Sequence, residues 1–286
     1  MKTLGIIGLG AMGQPMAKNL QKHGYSLLTT VRSERSRKLA CELGITVLEN
    51  PRNLPEHTDT VLLLVSNYQQ CCQCLEGETG LFAAMTHGTV IVSSTIAPGQ
   101  MRLLEEACPK GVCLLDAPVS GGVTGAEQGT LVTMAAGDAE AFSRCSDIFA
   151  CYSKKAVYVG DKPGQGQMLK AVNQMLVGIH IAATAEAAAF SKALGLDQRA
   201  LFETISECAG NSNMFQSRMP KLMAEDYSSR AALETLEKDT KICVDLAETA
   251  GVPCYLTELC HELYCKTPRS EDVQEDACAV IRMYQE

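Results

Sequence analysis

The chain has 286 residues, 46% of them hydrophobic and 20% charged, with a formal net charge of −8. That length holds two domains with cores of their own, the composition is that of a globular chain, and the acidic balance argues against general binding to nucleic acid or to an anionic membrane. No apolar run is long enough to span a bilayer, and the N-terminal apolar stretch reaches glycine well short of a secretory core, so a cytoplasmic protein acting on a small molecule is expected. The 14 cysteines are scattered through apolar segments and read as reduced thiols packing as small hydrophobes. The cluster Cys71, Cys72 and Cys74 has no second Cys or His pair at zinc spacing, so no metal is expected.

In chain order, residues 3–8 read as a short strand that runs into GLGAMG, whose Gly8, Gly10 and Gly13 have the G-x-G-x-x-G spacing. The first glycine allows a tight turn, the second lets the backbone approach a pyrophosphate, and the third lets helix and strand pack closely. Leu9, Ala11 and Met12 complete this expected dinucleotide loop. A helix is expected over 15–22, ended by Gly24, and a second strand over 25–31. An acid about 20 positions past the glycines would select NAD by binding the ribose hydroxyls. Here Val31 is followed by Arg32 and Ser33, a guanidinium fork and a hydroxyl suited to a 2′-phosphate, so NADP is the expected cofactor. NAD is the alternative, with Glu34 turning inward to replace the acid.

A buried parallel strand is expected over 60–65, with Val65 at its cofactor end, and another over 89–93. Between them lies a helical stretch over 68–85, interrupted around Gly77 and Gly80. Ser94, Thr95 and Pro98 then follow the second of these strands, at the carboxyl edge where open α/β sheets bind ligands. A strand over 112–116 leads into APVSGGVTGAEQGTL, read as a glycine-rich loop. In it Ser120 and the amides of Gly121 and Gly122 offer a concavity for a carboxylate; the alternative is a flexible connector.

GDKPGQGQMLKAVNQM, 160–175, opens the longest helical pattern, which runs to Ala193. Its Gly164 and Gly166 permit close approach or positive φ. Lys170 and Asn173, three residues apart, share one helix face and are expected to face an interdomain cleft, the alternative being a solvated surface pair. Beyond Gly160 the pattern is helical, with helices expected to about 208 after an Asp197 cap, over 213–224, 231–250, 255–265 and 271–284. The fold expected is an α/β Rossmann domain, doubly wound on a mostly parallel sheet, over 1–163, followed by an all-α domain over 164–286. A helix of about 30 residues is too long for a small domain to cover alone and suggests a homodimer or homotetramer.

GLGAMGQPMAKNL at 8–20, STIAP at 94–98, DAPVSGGVTGAEQGTL at 116–131, GQGQMLKAVNQ at 164–174 and KD at 238–239 resemble, in order and across nearly the whole chain, the signatures of the β-hydroxyacid dehydrogenase family. The resemblance implies reversible NAD(P)-linked oxidation of a short hydroxy acid and a helical domain that interlocks with a partner subunit. It implies Lys170 as general acid/base, Ser120, Gly121 and Gly122 on the substrate carboxylate, and Asn173 on the hydroxyl side. Thr95 would sit by the nicotinamide, and Lys238 would close over cofactor and substrate. CAGNSNMF at 208–215 with Arg218, and GIHIAATAEA at 178–187, resemble the threonate-oxidising branch, which implies that Asn211 and Arg218 meet the hydroxyls of a four-carbon sugar acid such as threonate. The alternative is that AGNSN caps a helix and Arg218 makes a surface ion pair. Ala231 stands where many members carry an aromatic, and Ser93 where many carry an aspartate. Two other readings remain open: a dehydrogenase of the 3-hydroxyisobutyrate or tartronate semialdehyde type, reducing glyoxylate or succinic semialdehyde, and a non-catalytic dinucleotide sensor. An imine reductase is disfavoured by Lys170.

Overall fold

The structure, a computed structural model, describes residues 2–229, 231–270 and 273–284. The chain divides into two compact units, Met1–Lys170 and Ala171–Glu286.

The first unit is built on one sheet of β1 (Lys2–Ile7), β2 (Tyr25–Thr30), β3 (Thr46–Leu48), β4 (Thr60–Leu63), β5 (Gly88–Val92), β6 (Val112–Asp116), β7 (Val119–Ser120), β8 (Leu131–Ala136) and β9 (Ser153–Gly160). The order is β3-β2-β1-β4-β5-β6-β8-β7, with β9 pairing β8. Pairs from β3 through β6 are parallel, β8 runs antiparallel to β6 and β7, and β9 is parallel to β8. The central strands are apolar at successive positions because both faces are covered. Leu4, Ile6, Leu62, Ile91 and Leu115 join one hydrophobic cluster, whereas Ile7, Val61, Leu63, Val90, Val92 and Leu114 join another, as the two-residue period of a strand requires. Covering these faces are α1 (Gly13–Lys22), α2 (Glu34–Glu42), α3 (Tyr68–Leu75), α4 (Pro98–Ala107), α5 (Gly122–Gln128), α6 (Ala139–Arg144) and α7 (Ser146–Tyr152).

The helical stretch expected over 68–85 is interrupted around Gly77 and Gly80 as expected: α3 ends at Leu75, Glu76 is extended, a Cβ on Gly80 would lie 2.1 Å from the Glu76 carbonyl oxygen, and a 3-10 turn, Leu81–Ala83, follows. One expectation in this unit is corrected. The glycine-rich stretch after β6 is not a loop. It forms β7 and α5, and Gly129 ends α5 at φ 68°.

The long α8 (Gln165–Ala193) begins in the first unit and continues into the second, which adds α9 (Gln198–Ser206), α10 (Asn213–Met223), α11 (Leu233–Ala250) and α12 (Tyr255–Lys266). Ile181, Ala185, Phe215, Met219, Leu236 and Tyr264 lie in its core. The Asp197 carboxylate caps α9 by accepting from Ala200 N at 2.8 Å. The helix expected over 271–284 is corrected to a 3-10 helix, Ala277–Tyr284; Glu271 and Asp272 lie outside the described residues. Glu275 and Asp276 form antiparallel bridges with Ser228 and Ala232, which holds them extended and delays any helical turn.

Candidate active site

The glycine loop sits at the carboxyl end of β1, beside β4, where the strand order reverses. Such switch points are where open α/β sheets take ligands. Gly8 has φ 105°, and a Cβ there would lie 1.9 Å from the Leu64 carbonyl oxygen. A Cβ on Gly13 would lie 1.8 Å from the Gly8 carbonyl oxygen, while around Gly10 nothing lies within 4 Å. Two glycines are thus needed for packing and the third leaves open ground. Next to it α1 begins after Met12, its N-cap residue, with no side-chain cap and no acidic residue in its first turn, so its leading amides and dipole suit an anion. Gly8, Leu9, Gly10, Ala11, Met12 and Gly13 therefore fit the pyrophosphate of a dinucleotide.

Arg32 follows β2 and is exposed; its Nη1 donates to Gln73 Oε1 on α3. Ser33 caps α2, its Oγ accepting from Ser36 N at 3.1 Å, and Glu34 is exposed as the first residue of that helix. Beyond β4, Val65 N donates to Ser94 Oγ at 2.7 Å, which couples the loops following β4 and β5. Thr95 is half-buried beside Ser94.

After β6 the chain takes positive φ twice, 131° at Gly121 and 64° at Gly122, where other residues would be strained. Here too the helix that follows begins without a side-chain cap or an acid in its first turn. Ser120, Gly121 and Gly122 present a hydroxyl and successive amides of the kind that hold a carboxylate.

The start of α8 is tied down by side chains not singled out in the sequence. Asp116 is fully buried at the end of β6. Its Oδ2 accepts from Gly164 N and Gln167 N, both at 2.9 Å, and its Oδ1 accepts from Gln167 Nε2 at 2.8 Å. Gln167 also donates from Nε2 to the Ser94 carbonyl at 2.9 Å and accepts from Ile96 N at 3.2 Å. Burial pushes the Asp116 carboxyl up to about 6, against the amide donors that lower it. The glycines have reasons here: Gly164 has φ 100°, and a Cβ on Gly166 would lie 2.5 Å from the Met134 carbonyl oxygen.

One helical turn past Gln167 comes Lys170, only 6% exposed. In the helical unit, Asn173 Nδ2 donates to Gln174 Oε1 at 2.9 Å, and Gln174 Nε2 donates to Asp239 Oδ2 at 2.6 Å. Lys238 Nζ lies 3.1 Å from Asp239 Oδ1. Two expected site residues, Asn173 and Lys238, are thus joined through Gln174 and Asp239, which stand inside the motifs at 164–174 and 238–239 but to which the sequence alone assigns no role.

Asn211 and Arg218 have structural partners. Asn211 Nδ2 donates to the Ser206 carbonyl at 2.8 Å, and Ser212 caps α10 by accepting from Phe215 N at 3.0 Å. Arg218 is buried, its Nε 3.2 Å from Asp276 Oδ1 without hydrogen-bond alignment; this is an interior ion pair, not one at the surface. Among the described residues no three His, Cys, Asp or Glu side chains gather as metal ligands, and no helix is long and apolar enough to cross a membrane.

Comparison with known proteins adds the following. Residues 3–160 match the family described as the NAD binding domain of 6-phosphogluconate dehydrogenase, and residues 164–284 match that described as NAD-binding of NADP-dependent 3-hydroxyisobutyrate dehydrogenase. The chain is 36% identical to L-threonate dehydrogenase of Cupriavidus necator, over 99% of this chain and 96% of that protein. It is 33% identical to L-threonate dehydrogenase of Escherichia coli K12, over 98% and 94%. Among solved structures, 3-hydroxyisobutyrate dehydrogenase from Salmonella typhimurium superposes with a TM-score of 0.87 at 30% identity, covering 99% of this chain and all of that one.

Proposed function

The chain belongs to the β-hydroxyacid dehydrogenase family, NAD(P)-dependent oxidoreductases, and from that premise we propose that its substrate is a four-carbon sugar acid such as threonate. When bound, the nicotinamide supplies the hydride acceptor. Oxidation takes a hydride from the carbinol carbon and a proton from its hydroxyl, leaving a carbonyl. Lys170 Nζ receives that proton, and in reduction it returns one. Ser120 Oγ with the Gly121 and Gly122 amides holds the carboxylate. Asn173, its carboxamide oriented by Gln174 and Asp239, orients the hydroxyl side, and Lys238 and Thr95 line the cofactor. The observation that carries this reading is Lys170 itself: a buried lysine one turn into the helix that Asp116 caps.

Arg32 and Ser33 support NADP as the preferred dinucleotide, Gln73 holding the guanidinium beside β2; Glu34 would replace them in an NAD enzyme. For the substrate, a second reading has its own observation. Because Arg218 is engaged by Asp276, it makes a weaker case for hydroxyl recognition, and this favours a 3-hydroxyisobutyrate-type acid. A homodimer or homotetramer is the proposed assembly, supported by Phe190 on α8 and Leu194 just past its end, 65% and 59% exposed.

The test is a panel of threonate, erythronate, glycerate and 3-hydroxyisobutyrate with both dinucleotides, run beside Lys170→Ala. Threonate is expected to give the highest kcat/KM. Lys170→Ala is expected to lose ~10²–10⁴-fold in kcat while still binding dinucleotide. A variant keeping more than about a tenth of wild-type kcat would remove Lys170 from the acid/base role; better use of 3-hydroxyisobutyrate would replace the sugar acid.

A further inference from the structure

The segment GQGQMLK, 164–170, contains more chemistry than its lysine. Gly164 and Gln167 send their backbone amides to one carboxylate oxygen of Asp116, and the Gln167 side chain reaches the other. The same carboxamide holds the main chain on either side of Thr95, at Ser94 O and Ile96 N. Ser94 in turn accepts from Val65 N. The residues following β4 and β5, the end of β6 and the first turn of α8 are therefore joined by one run of hydrogen bonds. We propose that Asp116 and Gln167 are positioning residues, a buried clamp that sets where Lys170 stands relative to Thr95.

Chemistry and geometry agree on this role. Gln167 and Lys170 are three residues apart, on one face of the helix and ~4.5 Å along its axis, so a displacement of the first turn is passed on to the lysine. No ion pair among the described residues includes Asp116, so its buried charge is met by amide donors and the start of a helix dipole. Gly166 allows the helix to come this close, since a Cβ there would stand 2.9 Å from Asp116 Oδ2. A misplacement of about 1 Å can cost ~10²-fold in rate.

The inference rests on the acid/base role proposed for Lys170, and its test separates the two. Asp116→Ala removes every acceptor; Asp116→Asn keeps a carbonyl for the two backbone amides; Gln167→Met keeps the volume and loses the carboxamide. For each, kcat is measured with the best acid of the panel, dinucleotide affinity by NADPH fluorescence, and amide hydrogen exchange at Gly164 and Gln167 in the cofactor-free protein. The expected result is ~10²-fold lower kcat for Asp116→Ala, dinucleotide affinity within about threefold of wild type, loss of exchange protection at both amides, and substantial recovery of both properties in Asp116→Asn. Should Asp116→Ala fail to fold, Gln167→Met decides by the same measurements, with ~10-fold lower kcat expected. Wild-type kcat in the variant that folds, or kcat and dinucleotide affinity falling together, would overturn the clamp. Activity retained in Lys170→Ala would overturn only the acid/base role, and exchange at the two amides would still judge whether Asp116 and Gln167 hold the turn.

Discussion

Replacing Gly166 by alanine tests the close packing of the start of α8 against β8 and Asp116. In an ordinary helix the change gains up to about 1 kcal/mol from propensity. Here the new Cβ would stand 2.5 Å from Met134 O and 2.9 Å from Asp116 Oδ2, a strand carbonyl and a buried carboxylate, neither of which can swing aside. Reaching even 3.0 Å from the carbonyl requires the first turn of α8 to retreat by 0.5 Å. That retreat would stretch the two 2.9 Å amide bonds to Asp116 to about 3.4 Å, beyond good hydrogen-bond length. Bonds to a charged group are worth about 1.5–3 kcal/mol each, and partial loss of two of them outweighs the propensity gain. The expected net destabilisation is about 2–3 kcal/mol, a fall in Tm of ~4–12 °C in a thermal melt followed by circular dichroism. A Tm equal to or above that of wild type would refute the packing argument.

Three further outcomes are expected. Because burial raises the Asp116 carboxyl to about 6 from 3.8, the folded state holds this proton more tightly than the unfolded chain. The stability from this group is therefore fully present below pH 3.8 and is lost as pH rises through 6, by about 3 kcal/mol. Urea midpoints between pH 4 and 7 should show wild type losing stability relative to Asp116→Asn as pH rises, and a constant difference would contradict the burial argument. Arg218→Ala removes a buried cation 3.2 Å from Asp276 Oδ1 and is expected to cost about 3–5 kcal/mol; an unchanged urea midpoint with a raised substrate KM would instead restore Arg218 to the substrate. Arg32→Ala is expected to lower kcat/KM for NADP by ~10-fold or more while leaving NAD little affected, and a wild-type preference for NAD would count against Arg32 as the determinant.

The sequence by itself determined what local periodicity and backbone sterics control. The strand–glycine–helix unit at 3–22 is legible because a turn this tight against Leu64 admits no side chain at Gly8, and the apolar runs of β4 and β5 are legible because a strand covered on both faces has no polar side to show. The span of α8 and the Asp197 cap are likewise readable from neighbours in sequence. Tertiary structure decided the rest, for reasons of sequence separation. Asp116 and Gln167 meet across 51 residues, and Arg218 and Asp276 across 58; no local pattern tells a buried carboxylate held by amides from one on the surface. Asn211 illustrates the same limit in reverse. An asparagine in a polar loop has the composition of a recognition site, yet one of its amide hydrogens already goes to Ser206 O while its Oδ1 is buried with no hydrogen-bond partner, and whether a polar group is spent on the fold or kept for a ligand depends on partners that only the folded chain brings within reach.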